Sequence, residues 1–143
     1  MQRYDRRALL KYFLDTNVII DMLKGKHSCM LKHFENIYST DIYVPAIVVA
    51  ELEYGAAHSV NYEKNKSLYE KFISNFSIIP FDRKCSQPYG KIRQNLNAVG
   101  TPIGGNDMLI AATVVANNGI LVTHNVGEFA RIKGLAIEDW TEE

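Results

Sequence analysis

The sequence predicts an α/β fold, a parallel sheet covered on both faces by helices. Short apolar runs of strand character at Leu10–Leu14, Ile42–Val44, Ser77–Phe81, Ile120–Thr123 and Leu135–Ile137 alternate with segments of helical periodicity. Two helical segments, Pro45–His58 and Asp107–Asn117, hold apolar stretches (Pro45–Ala50 and Met108–Ala116), so much of their surface must be covered by a sheet and its other helices. The chain has 143 residues and no repeat, low-complexity tract or linker, which fits one domain over residues 10–143 behind a polar extension at residues 1–9.

Each element has a local reason. After the Leu10–Leu14 strand, Asn17–Lys24 reads as a helix that Gly25 can end in the left-handed conformation. Ser28 is a candidate cap for a helix through Tyr38. Pro45, following the second strand, suits the first turn of a helix to His58. Tyr62–Phe76 is amphipathic, with Tyr62, Leu68, Tyr69, Phe72, Ile73 and Phe76 apolar. Asp82 can cap a helix over Arg83–Val99, in which Pro88 must lie in the first turns or break the helix. The loop GTPIGGN ends at Asn106, a candidate cap for the Asp107 helix, and Val126–Ile132 reads as a short helix before the last strand.

Composition narrows the function. Hydrophobic residues make up 47% and charged residues 22%, the balance of a folded globular chain rather than a disordered one. The longest apolar run, Val44–Ala50, is far short of the roughly 20 residues of a membrane span, and no leader is visible, so the cytoplasm is the expected location. Cys29 and Cys85 have no partner at metal-site spacing and read as buried reduced thiols. Net charge is zero, so a phosphate-binding surface would have to come from local clusters such as Arg3, Arg6 and Arg7, Arg83 and Lys84, or Lys91 and Arg93.

Three carboxylates stand out against this background. Asp15 lies between the apolar runs Tyr12–Leu14 and Val18–Ile20; Glu51 follows six apolar residues; Asp107 opens an apolar helix, where free amides and the helix dipole favour negative charge. Each has a bland role available, as a cap, a surface ion-pair partner or a dipole partner. Ligand sites in parallel sheets form beyond the carboxyl ends of the strands, and Asp15 sits at such an end with Thr123, His124 and Asn125 at another. Carboxylates gathered there repel one another unless a divalent cation neutralises them, and an oxygen-only set favours Mg²⁺ or Mn²⁺ over Zn²⁺. Mg²⁺ takes a few carboxylates and leaves positions for a phosphate oxygen and water. Glu128 is a candidate fourth carboxylate or a helix-start residue. Glu53 reads as solvated. His124 reads as structural, with proton shuttling as the alternative, and His27, His33 and His58 show no ligand spacing.

Four stretches, YFLDTNVIIDML, PAIVVAELEYGA, GTPIGGNDMLIAA and LVTHNVGEFARIKGLAIEDW, together resemble the PIN-domain ribonucleases, specifically the VapC-type toxins of prokaryotic toxin–antitoxin modules, over roughly residues 11–141. The resemblance implies a PIN-like sheet of about five strands and an acidic Mg²⁺ pocket, with Mn²⁺ able to substitute, that cuts single-stranded or looped RNA. Asp15, Glu51 and Asp107 match the family's three acids, while Thr16, Asn17 and Thr123 match its supporting polar positions. The fourth acidic position falls after Thr123, where Asn125 is the nearest equivalent and Glu128 the other candidate. Residues 1–9 depart from the family, whose chains tend to begin near the first strand.

The implied partners are an antitoxin protein and a second copy in a homodimer. Tyr54, Tyr62, Tyr69 and Phe72 are read as surface for the antitoxin, which could send a basic side chain into the pocket. Three other readings compete: a PIN-like binding module without activity, a PIN nuclease of RNA processing or quality control, and a phospho-acceptor signalling domain. The last wants a Lys at the end of a late strand, which Ile120–Asn125 lacks.

Overall fold

The computed structural model describes residues 10–142; the extension expected at residues 1–9, with Arg3, Arg6 and Arg7, lies outside the described residues. The elements run β1 (Tyr12–Leu14), α1 (Thr16–Leu23), α2 (Ser28–Glu35), β2 (Ile42–Pro45), α3 (Ala46–His58), α4 (Tyr62–Ile73), β3 (Ser77–Ile79), α5 (Arg83–Ala98), α6 (Gly105–Ala116), β4 (Ile120–Val122), α7 (Val126–Phe129) and β5 (Ala136–Glu138). All strand pairings are parallel, in the order β3-β2-β1-β4-β5. The chain winds outward from β1 to β3 and then crosses back to β4. The order therefore reverses between β1 and β4, the point at whose carboxyl ends ligand sites of such sheets form.

The strands are short because their sequence allows little more. Pro80 has no N–H for a ladder, so β3 stops at Ile79 rather than Phe81. Phe13, Leu14, Val44, Leu121 and Val122 are fully buried, as a sheet covered on both faces requires. Val18 and Ile19 of α1, Val48 of α3 and Ile110–Ala112 of α6 pack onto it. Each large apolar side chain among them contributes roughly 1.5–3 kcal/mol. Gly119 enters β4 beneath Phe13: a Cβ there would stand 2.4 Å from the Phe13 ring, so this approach requires glycine.

Several expected boundaries move. Gly25 does end the first helical region in the left-handed conformation, with φ of 69°. Ser28 is the first helical residue of α2 rather than its cap; His27 holds the capping position with φ of 59° and no side-chain bond, and α2 ends at Glu35, not Tyr38. Pro45 closes β2 instead of opening α3. Asp82 precedes α5 but makes no capping bond; its carboxylate accepts from the Cys85 thiol. Pro88 lies inside α5, which continues past it. Gly104, not Asn106, takes the capping position of α6. Cys85 is buried, whereas Cys29 is half-buried, and both are free thiols.

The carboxyl-terminal tail is locked by Trp140, which is 1% exposed. Its ring stacks on His33 at 5.2 Å and meets Phe34 edge-on at 5.1 Å. The Cys29 thiol donates to the Thr141 carbonyl at 2.9 Å. Residues 138–141 therefore return to the carboxyl edge of the sheet in a fixed position.

Candidate active site

Asp15 ends β1 and caps α1. Its Oδ1 accepts from the Thr16 amide at 2.9 Å, and its Oδ2 accepts from the Thr123 hydroxyl, at the end of β4, at 2.8 Å. The Thr123 oxygen in turn accepts from the Asn125 amide at 3.0 Å. Asp15 and Thr123 are both buried. Burial pushes the Asp15 carboxyl above the usual carboxylate range; the Thr123 and Thr16 hydrogen bonds oppose this, and the charges of Glu51 and Glu128 add to it.

Glu51 reaches the crevice from the middle of α3. Its Oε1 accepts from the Thr16 hydroxyl at 2.5 Å, and Asn106 approaches its Oε2 with the side-chain amide at 3.5 Å. Thr16 thus ties Glu51 to Asp15 through one residue. Glu53, two positions on, leaves the crevice and braces α3 against α4, accepting from the Tyr69 hydroxyl at 2.7 Å with Lys66 at 3.3 Å. It is an anchored group rather than a merely solvated one. Burial and Glu53 push the Tyr69 hydroxyl up to about 12.

Asp107 lies in the first turn of α6. Its carboxyl is not lowered by the helix start, as the sequence suggests, but pushed up to about 7, first by burial and then by a hydrogen bond with Glu128 and the charges of Glu128, Asp15 and Glu51. The Glu128 carboxylate bridges the opposite side, where its Oε1 accepts from the Gly104 amide at 3.2 Å and its Oε2 from the Asn125 side chain at 2.6 Å. The Asn125 bond, with Gly104 and Asp107, holds Glu128 below its ordinary value. The two carboxyls are thus pushed in opposite directions, Asp107 up and Glu128 down. Glu128, not Asn125, stands against Asp107, and Asn125 serves as its hydrogen-bond donor.

The structure brings Asp15, Thr16, Glu51, Asp107, Thr123, Asn125 and Glu128 into one connected group. Asn17 is exposed on α1 and joins none of these bonds. Asn106 was missed as a partner of Glu51; its place one residue before Asp107 was the available signal. Of the aromatics expected at the surface only Tyr54 is exposed, while Tyr62 and Phe72 are half-buried and Tyr69 is buried.

Among the described residues no group of three or more His, Cys, Asp or Glu side chains is arranged to hold a metal ion. The donor chemistry is nevertheless of the kind a hard divalent cation takes: the candidate ligands Asp15, Glu51, Asp107 and Glu128 are all carboxylates.

Comparison with known proteins agrees with this geometry. The sequence pattern of the PIN domain matches residues 12–135. Ribonuclease VapC2 of Rickettsia felis is 38% identical over 130 residues, 90% of this chain and 97% of that one. The tRNA(fMet)-specific endonuclease VapC of Salmonella typhimurium is 36% identical over 132 residues, 92% of this chain and 99% of that one. Among solved structures, VapBC2 of R. felis bound to a promoter DNA fragment superimposes with a TM-score of 0.86 at 38% identity, covering 92% of this chain and 99% of that one. DNA-bound VapBC of S. typhimurium gives 0.86 at 37% identity over 92% and 98%. The chain belongs to the PIN-domain family, and within it to the VapC-type ribonucleases of VapBC toxin–antitoxin modules.

Proposed function

We propose that this chain is a Mg²⁺-dependent endoribonuclease toxin of the cytoplasm, with Mn²⁺ able to substitute, and that a cognate antitoxin restrains it. The gathering of Asp15, Glu51, Asp107 and Glu128 at the carboxyl ends of β1 and β4 is the observation that carries the reading, because carboxylates this close repel one another unless positive charge compensates. Asp15, Glu51 and Asp107 would hold the cation, with Glu128 adjoining. When bound, it supplies neutralising charge, activates water and stabilises negative charge on the phosphoryl group.

The residues themselves do the rest. Thr123 and Thr16 fix both oxygens of Asp15, so this carboxylate cannot turn away from the phosphate. Glu51, steadied by Thr16 and Asn106, is placed to orient water and take its proton as the oxygen attacks phosphorus and the bond to the leaving ribose oxygen breaks. Asp107, whose carboxyl is raised by burial and by Glu128, would release its proton to water on taking up positive charge.

An apolar groove of about 330 Å³ between α1, α3 and α4 suits the antitoxin. Ile20, Leu23, Leu52, Leu68 and Tyr69 line it, and Glu51 stands in its wall. An amphipathic helix laid there could send an Arg or Lys toward Glu51 and Asp15, offsetting the same repulsion. A homodimer completes the reading. No helix of the described residues is long and apolar enough to cross a membrane.

The test is incubation of the purified chain with initiator tRNA(fMet), the substrate named for the Salmonella relative, and with total RNA, each with Mg²⁺ and with a chelator. Discrete cut ends that vanish with the chelator are expected, together with growth arrest relieved by co-expressing the small neighbouring gene. Intact RNA under every condition would overturn the proposal.

A further inference from the structure

His124 follows Thr123, which donates to Asp15, and precedes Asn125, which donates to Glu128, so its backbone belongs to the rim of the carboxylate crevice. Its side chain is 60% exposed, yet one edge of the ring is built in. Nδ1 lies 3.1 Å from Asp139 Oδ2 and 2.8 Å from the Thr141 hydroxyl oxygen. That hydroxyl spends its hydrogen on Asp139 Oδ1 at 2.6 Å, and the Thr141 amide donates to the same oxygen at 2.9 Å. Asp139 is 10% exposed, fixed between β5 and the buried Trp140. Although burial pushes its carboxyl up, the Thr141 hydroxyl and amide and His124 outweigh that and hold it below the usual range.

These bonds fix the proton on the ring. With the Thr141 hydrogen committed to Asp139, Nδ1 must be the donor to Oδ2, so whenever the ring is uncharged its lone pair is on Nε2. An acceptor at that place has no use for a phosphate oxygen, which only accepts. It does suit a ribose 2′-hydroxyl, the group that separates RNA from DNA. The His27 ring, 5.9 Å away and itself 3.7 Å from Asp21, bounds the site on the α1 side, so a strand would run along the β4–β5 edge, away from the apolar groove.

Resting on the ribonuclease reading above, we propose that His124 Nε2 accepts a hydrogen bond from the 2′-hydroxyl of a nucleotide flanking the scissile phosphate, and that Asp139 is the positioning residue that sets its tautomer.

Asp139→Asn provides a sharp test. Oδ1 already accepts two donors from Thr141, so the amide oxygen must take that place and the amide NH₂ the place facing Nδ1. The ring then moves its proton to Nε2 and becomes a donor. A synthetic RNA spanning the mapped cut site is compared with versions carrying one 2′-deoxy nucleotide at each flanking position. One deoxy position should lower wild-type kcat/KM about fivefold, the size of one neutral hydrogen bond. His124→Ala and Asp139→Asn should lose about the same on the all-ribose RNA and lose nothing further at that position, while His124→Asn, which keeps an acceptor, recovers part. Ring ¹⁵N shifts of His124 should report Nδ1–H in the wild type and Nε2–H in Asp139→Asn, whatever the activity.

Multiplying losses from variant and deoxy substitution, or wild-type rates in His124→Ala and Asp139→Asn, would overturn the inference and leave the ribonuclease reading standing. A sensitivity of His124 to base identity rather than to the 2′-hydroxyl would also overturn it. Failure of the wild type to cut the all-ribose RNA would instead remove the ribonuclease reading, and the inference with it.

Discussion

The two halves of the carboxylate crevice are held differently. On the β1–β4 side, Asp15 is buried with both oxygens bonded to groups on rigid elements, the start of α1 and the end of β4. On the α6–α7 side, burial and the neighbouring carboxylate of Glu128 push the Asp107 carboxyl up to about 7, and Glu128 belongs to a four-residue helix. One half is pinned by hydrogen bonds at both oxygens of its carboxylate, and in the other the carboxylate of Asp107 faces that of Glu128.

The largest expected effect ignores this difference. Asp15→Asn and Asp107→Asn should each cut RNA cleavage roughly a hundredfold to ten-thousandfold, a loss of several kcal/mol of transition-state stabilisation. Near-wild-type rates in either variant would refute the shared site. Circular dichroism should show both variants folded.

Stability separates the halves. Thr123→Val leaves Asp15 Oδ2 without its donor and the Asn125 amide without its acceptor in a buried place, which should cost about 1–3 kcal/mol in denaturant unfolding. The same measurement on Asp107→Asn should show a gain, because a half-buried repulsive carboxyl is replaced by a neutral group. A loss there would mean that Asp107 is held by favourable contacts, and the contrast between the halves would collapse.

The pH dependence follows with a definite sign. The Asp107 carboxyl is raised from 3.8 to about 7 in the fold, so between these values the native state keeps a proton that the unfolded chain has lost. Its contribution is full below about pH 4 and disappears as pH rises toward and through 7, so in a chelator the melting temperature should fall across that window. Asp107→Asn should flatten the fall. Millimolar Mg²⁺ or Mn²⁺ should raise the melting temperature above pH 7, by mass action on the native state, and hardly at all at pH 5, where Asp107 still holds its proton. A metal response equal at both pH values would separate the cation from Asp107.

The same contrast explains what could be read from the sequence. The fixed half was legible: Asp15 between apolar runs and Thr123 at the end of a β-branched strand announce themselves by local pattern, as do the alternating strands and helices of the fold. The other half was legible only in part: Asp107 stands out at the head of an apolar helix and Glu128 is one of two candidates for a fourth acid, but their meeting is not written in the sequence. Glu128 comes 21 positions after Asp107 on a helix of one turn, and no periodicity relates it to Gly104, whose amide it meets in space. The expected lowering of Asp107 by its helix start was a local rule overridden by burial and by neighbours from other elements. Glu53 was misread for the same reason, because its partner Tyr69 belongs to the next helix. Helix ends moved where side-chain caps were expected and backbone geometry served instead, at Gly104 and His27.

The smallest effect concerns Asn125, the nearest sequence equivalent of a fourth acid. Its side chain gives Glu128 a 2.6 Å hydrogen bond and touches neither Asp15 nor Asp107 through any bond of its own. Glu128 retains the Gly104 amide when that donor is removed, so it stays in place with a higher proton affinity. Asn125→Ala should therefore reduce cleavage only about tenfold, the scale of one hydrogen bond to a charged group, and should shift the loss toward lower pH. Glu128→Gln removes the charge that meets Asp107 and should cost more. Measuring kcat/KM for the two variants across pH 5–9 decides the matter. If Asn125→Ala proved as damaging as Asp15→Asn while Glu128→Gln stayed near wild type, the fourth position would belong to Asn125, and the α6–α7 half would be a fixed clamp after all.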